Sequence, residues 1–123
     1  MRHMSFSLTT PQMRARTKTV TRRLASWQNL QPGTLLLAVE KSQGLRKGEK
    51  VRRIGVIRVV DVRREPLHLL RRARYGRAEA RREGFPELTG VGFLERFCAH
   101  AGCSADALVT RIEFEHVEYA ANA

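Results

Sequence analysis

Arg16-Thr17-Lys18-Thr19-Val20-Thr21-Arg22-Arg23 is the stretch from which the rest of the chain can be read. Thr17, Thr19, Val20 and Thr21 are β-branched, and two heavy atoms on Cβ favour extended backbone. Just before them, Thr10 can cap a helix, Pro11 can take its first position, and Gln12 to Arg16 can form one or two turns. A helix-to-strand junction is therefore expected close to Lys18. In a regular strand Lys18 and Thr21 point to opposite faces, so they can act together only if a bend or the helix end falls between them.

Outward from this stretch, the pattern is that of an α+β chain. Phe6 and Leu8 alternate with Ser5, Ser7 and Thr9, which predicts a short half-buried strand. Pro32-Gly33 signals a turn into a buried strand over Thr34 to Val39, and Lys41 to Lys50 is basic and Gly-containing, hence a loop. Val51 to Val62 holds the densest β-branched run and predicts the central strand, with Gly55 as a bulge or bend. After Pro66 an Arg-studded stretch, with Arg71, Arg72, Arg74, Arg77, Arg81 and Arg82, reads as partly helical and solvent-facing. Thr89 can cap a further helix with Phe93, Leu94, Phe97, Cys98 and Ala101 in one apolar stripe, and Gly102 ends it. Val109 to Val117 alternates as a strand with one face in the core, and Ala120 to Ala123 should fray.

With 123 residues the chain fits one domain over 1–123, with a single barrel or sandwich core. Twenty-three Lys and Arg against 12 Asp and Glu give a formal charge of +11, which attracts polyanions and points to RNA or DNA as a partner. Aromatic content of 7% is low for an extended base-stacking platform, so nucleobase recognition should be local. No apolar run is long enough to span a bilayer, and the start, Met1-Arg2-His3-Met4, does not resemble a signal peptide, so a cytoplasmic protein is expected and Met4 could be the initiator.

Cys98-Ala99-His100-Ala101-Gly102-Cys103 places a histidine between two thiols, but structural zinc takes four ligands and His3, His68 and His116 are scattered. The expectation is no metal, with Cys98 a core residue and Cys103 a partly buried thiol. Hydrolase elbows, phosphate loops and H-E-x-x-H are absent from the sequence. Attention returns to Lys18: near hydroxyls and cations an ammonium can lose its proton more readily, and a threonine such as Thr21 becomes a nucleophile only beside such a base. A carboxylate partner is expected in Glu79-Ala80-Arg81-Arg82-Glu83-Gly84-Phe85, where Glu79 and Glu83 share a helix face. The plain alternative for every one of these charges is a solvated surface residue.

The segment around Lys18 resembles the ASCH family of the PUA-like superfamily, whose motif is G-x-K-x-x-E-x-R. Lys18 and Arg23 match it; Arg16 stands for the glycine and Thr21 for the glutamate. Lys-Thr-x-Thr followed by arginine is similar to the ASCH subgroup that hydrolyses N4-acetylcytidine and related N4-acylated cytosines, and to phage and prophage ASCH proteins. The resemblance implies a PUA-like small β-barrel flanked by short helices, and a catalytic set of Lys18, Thr21 and Glu83. Lys18 would act as base toward Thr21 or a water, and Arg22 or Arg23 would steady the oxyanion, with no cofactor.

The partner so implied is a modified cytosine nucleoside or RNA, met by a monomer or weak dimer. The alternative is a non-catalytic RNA-binding module in which Arg71, Arg72, Arg74 and Arg77 hold phosphates. Ribonuclease activity ranks third, because no histidine pair is evident for acid and base work.

Overall fold

The computed structural model describes residues 1–118, and the fraying expected of Ala120 to Ala123 lies outside them. Strands β1 (His3–Ser5), β2 (Val20–Arg23), β3 (Leu35–Val39), β4 (Arg53–Pro66) and β5 (Leu108–Val117) form one sheet in the order β1-β3-β4-β5-β2. β1 and β3 are parallel and the other neighbours antiparallel. Helix α1 (Thr10–Arg14) joins β1 to β2, and a 3-10 helix (Leu67–Arg71), α2 (Ala73–Arg82) and α3 (Gly90–Ala101) lie between β4 and β5.

β4 runs past the expected Val62 to Pro66, because Arg63, Arg64 and Glu65 continue the ladder opposite Arg111, Thr110 and Val109. Pairing with a long neighbour overrides the weak strand preference of charged residues. Two bulges bend this strand: Ile54 is the extra residue opposite Ala38 and Val39, beside Gly55, and Val60 is extra between Val59 and Asp61. The sheet curls until its two edge strands approach. Arg23 Nη2 at the end of β2 donates to the Ser5 carbonyl of β1 at 2.7 Å. A side chain, not a ladder, spans this seam, so the small β-barrel is an open curl rather than a closed one.

Met4, Phe6, Met13, Leu36, Ile57, Ile112 and Phe114 fill the inside of the curl. Leu67, Leu70, Ala80, Phe93, Leu94 and Val109 form a second cluster between the helices and the outer face of β5. Within that layer α2 and α3 meet backbone to backbone: a Cβ on Gly76 would lie 2.0 Å from the Leu70 carbonyl oxygen and 2.8 Å from Gly90 Cα.

Four local expectations shift. β1 is His3–Ser5, and Leu8 is exposed, because a turn closes at Phe6, whose carbonyl accepts from Thr9 N and Thr10 Oγ1. α1 starts at Thr10 and stops at Arg14, since Arg16 takes a left-handed φ of 61°. β5 is covered on both faces at Arg111, which is buried under α2 instead of facing solvent. The Arg-rich stretch is helical, yet its inner side carries the fully buried Glu79 and Ala80.

Candidate functional site

The left-handed turn at Arg16 lets the amides of Thr17 and Lys18 both donate to the Gln12 carbonyl, at 3.0 and 3.4 Å. Thr19 N then donates to the Arg82 carbonyl at 2.8 Å, which ties the entry to β2 to the end of α2. His116 Nε2 donates to the Lys18 carbonyl at 2.7 Å, so its ring hydrogen sits on Nε2. Every backbone neighbour of Lys18 is thus held.

Glu83 follows the last turn of α2, and Gly84, at φ 101°, turns the chain so closely that a Cβ there would lie 2.7 Å from Gln12 Cγ. This turn aims both polar groups of Glu83 at one lysine. Lys18 Nζ donates to Glu83 Oε1 at 2.7 Å and to the Glu83 carbonyl oxygen at 3.0 Å, and both side chains are only 3% exposed. An ammonium carries three hydrogens, so one is left over among the described residues.

Lys18 and Arg22 have the same strand parity, and Arg22 Nη1 donates to the other oxygen, Glu83 Oε2, at 2.8 Å. Arg22 Nη2 reaches Glu65 Oε1 at 2.8 Å and Glu79 Oε1 at 2.6 Å. Glu79 is in turn held by Arg111 and by Arg82, and Glu65 accepts from Tyr75 OH at 2.8 Å. Three buried carboxylates and their cations thus form one connected lattice beneath the helices, each charge offset by its neighbours.

Burial pushes the Lys18 ammonium below its usual range, Glu83 draws it back, and the nearby charges of Arg23 and Arg22 add to the lowering. Burial opposes the charge of Glu79, but hydrogen bonds from Arg111 and the charge of Arg22 outweigh it and hold its carboxyl at about 2. Burial likewise opposes the charge of Arg22, and the attraction of Glu83 and Glu79 overcomes it, so Arg22 stays protonated. For Arg23 burial prevails over the pull of Glu83 and its guanidinium is lowered. Among the described residues no carboxylate makes an ion pair with Arg23.

Lys18, Arg22, Arg23 and Glu83 lie in the wall of a cleft of about 480 Å³ at the seam of the curl. Its other walls are Ser5 to Thr9 and the aromatic side of the helical layer, where Phe85, Phe93 and Phe97 stand with neighbouring ring centroids 5.9 and 6.2 Å apart. Arg96 stacks over the Phe85 ring at 5.1 Å, and His100 stands one turn further along α3. The three rings pack on one another and give this side of the cleft an apolar surface, opposite the polar groups of its other walls.

The structure therefore brings Lys18 and Glu83 together and leaves Thr21 apart from them. Thr21 pairs with Ile112 in register, and its hydroxyl accepts from Arg23 Nε at 3.3 Å; it bonds to neither Lys18 nor Glu83 among the described residues. Glu79 belongs to the lattice with Arg111, not to the cleft wall. Arg71, Arg72, Arg74 and Arg77 are exposed and stand outside the cleft lining.

Sequence reasoning missed Arg111 because strand alternation set it on the solvent face, and Glu65 because it lies beyond the expected strand end at Val62. It missed Arg96 and His100 as cleft residues too. Their signal was present, since they are four apart on the helix and flank the Phe93 and Phe97 stripe that reads as core.

Among the described residues no three His, Cys, Asp or Glu side chains are grouped to hold a metal ion, and no helix is long and apolar enough to cross a membrane. No protein-family model matches the sequence, and no curated protein matches it. Two solved structures superpose over nearly the whole chain. An ASCH domain from Lactobacillus crispatus JV V101 does so with TM-score 0.57 at 16% identity, over 96% of this chain and 80% of that one. Protein EF3133 from Enterococcus faecalis V583, of the family DUF984, does so with TM-score 0.59 at 13% identity, over 99% of this chain and 83% of that one. The fold is accordingly α+β and matches that of an ASCH domain, as the motif around Lys18 implies.

Proposed function

We propose that the cleft takes a cytosine nucleoside, free or as one unit of an RNA, and that the Lys18 and Glu83 pair removes an acyl group from its N4 amine. One observation carries the reading: a buried lysine, lowered by its surroundings and aimed by one glutamate, with a hydrogen to spare at the wall of a base-sized cleft. Neutral Lys18 takes a proton from water, whose oxygen bonds to the acyl carbon. Arg23, without a carboxylate of its own, meets the oxyanion. The proton then passes from Lys18 to N4, the C–N bond breaks, and cytidine and a carboxylate leave. Glu83 orients the lysine throughout. Thr21, turned toward Arg23, favours water over the hydroxyl as the attacking group. Mass spectrometry of the protein with N4-acetylcytidine tests this: cytidine should accumulate and Lys18→Ala should abolish it. No turnover across several acyl groups would sink the idea.

A second reading is a module that binds RNA without turnover. It is favoured by Arg71, Arg72, Arg74 and Arg77, exposed and with no ion-pair partner among the described residues, on a chain of net charge +11. Its mark is RNA affinity that falls steeply with salt, with each arginine replaced lowering the slope by about one.

A further inference from the structure

Cys98 and Cys103 play no part in the cleft chemistry, yet the fold sets them against each other. Cys98 lies in the last turn of α3, and Gly102, left-handed at φ 69°, turns the chain back over that turn. The amides of Gly102 and Cys103 both donate to the Cys98 carbonyl, at 2.9 and 3.2 Å. The two sulfurs consequently stand 3.8 Å apart, and both residues are free thiols and partly exposed. No third ligand accompanies them, since among the described residues there is no metal-holding group. Two accessible thiols in contact, without a metal to share, are a substrate for oxidation.

We propose that Cys98 and Cys103 are a reversible disulfide site, closed by a peroxide and opened by a dithiol, that locks the end of α3. A disulfide needs the sulfurs to approach to about 2.05 Å. Gly102 and Ser104, both exposed, flank Cys103 and leave it room to move that distance.

Cys103 follows the helix between the exposed Gly102 and Ser104, whereas Cys98 lies within α3, so Cys103 is the thiol placed to meet the oxidant. The Cys103 thiolate bonds to one peroxide oxygen and hydroxide leaves, giving a sulfenic acid. Cys98 attacks that sulfur, the S–S bond forms and water leaves. Overall two thiols and one hydrogen peroxide give one disulfide and two waters. The turn so locked directly follows Arg96 and Phe97 and contains His100, so the bond stiffens one wall of the cleft.

The test treats the full chain with hydrogen peroxide and reads intact mass and alkylation by iodoacetamide. Expected are a fall of about 2 Da for the two hydrogens lost, disappearance of both alkylated thiols, no covalent dimer, and full reversal by dithiothreitol. Cys103→Ser should abolish the mass fall. In a dithiothreitol redox buffer the disulfide should be favoured at least about tenfold more in the folded protein than in urea, because the fold holds the sulfurs together. Two thiols still alkylated after treatment, covalent dimers as the main product, or an equilibrium no more favourable than in urea would each overturn the proposal.

Discussion

Glu83 binds Lys18 twice, through its carboxylate at 2.7 Å and through its own backbone carbonyl at 3.0 Å, while its second carboxylate oxygen is held by Arg22. The two members of the pair are therefore unequal. Lys18→Met leaves Glu83 still paired with Arg22, and the loss of stability should stay under about 1 kcal/mol. Glu83→Gln strands a buried ammonium and should cost about 3 kcal/mol. Urea unfolding of the two variants measures the difference; equal losses would refute the asymmetry.

The lowered Lys18 also sets a pH profile. A base must be neutral to accept a proton, and the neutral form prevails above the group's own value. Since burial places that value below the ordinary lysine range, hydrolysis should rise with pH and level off before an ordinary lysine would have titrated. The profile of kcat/KM for N4-acetylcytidine shows where the plateau begins.

Glu79 ties folding to acid. Its carboxyl sits at about 2 when folded, against 4.5 ordinarily, so the unfolded chain binds the proton first as pH falls. The stabilisation is complete above about pH 5 and is lost downward through pH 2, about 2 kcal/mol of it by pH 3. Urea titrations at pH 7 and pH 3 should show that loss, and Glu79→Gln should remove its contribution to it while weakening the protein at pH 7.

The crossing of α2 and α3 tolerates no side chain at Gly76. An added methyl would meet the Leu70 carbonyl at 2.0 Å, so Gly76→Ala should cost about 3 kcal/mol or leave the helices unpacked. Gly55→Ala is the control: a Cβ there has nothing within 4 Å, and its effect should stay within about 0.5 kcal/mol. Thermal melts of the two variants separate them.

Arg16 occupies the motif position where ASCH domains carry glycine, and its φ of 61° is the conformation that favours glycine. The Arg16 ion pair with Glu118 is exposed and contributes little. Arg16→Gly should therefore be neutral or stabilising by up to about 1 kcal/mol, and Arg16→Val destabilising by at least about 1 kcal/mol. Melting temperatures in the opposite order would contradict this account of the turn.

Local chemistry in the sequence was sufficient for several parts of this molecule. The β-branched run gives β4, the Thr89 cap and Gly102 bound α3, and the helix-to-strand junction falls beside Lys18, because each depends on neighbours within a few residues. The motif around Lys18 pointed to the fold.

What remained depended on residues far apart in the chain. Whether Glu83 or Glu79 meets Lys18 is a matter of where α2 ends against β2, across 65 residues, and no spacing encodes it. The same holds for Arg22, expected to steady an oxyanion, and for Arg111, which reads as a surface cation: the helices cover both, and three buried carboxylates hold them. Thr21 shows the limit most plainly. Alternation along the chain allowed it to join Lys18 only through a bend, and the register of β2 on β5 set it opposite Ile112, with its hydroxyl toward Arg23. Side-chain direction along a strand is a local property, whereas the groups that wait on either side are chosen by the packing of the whole sheet.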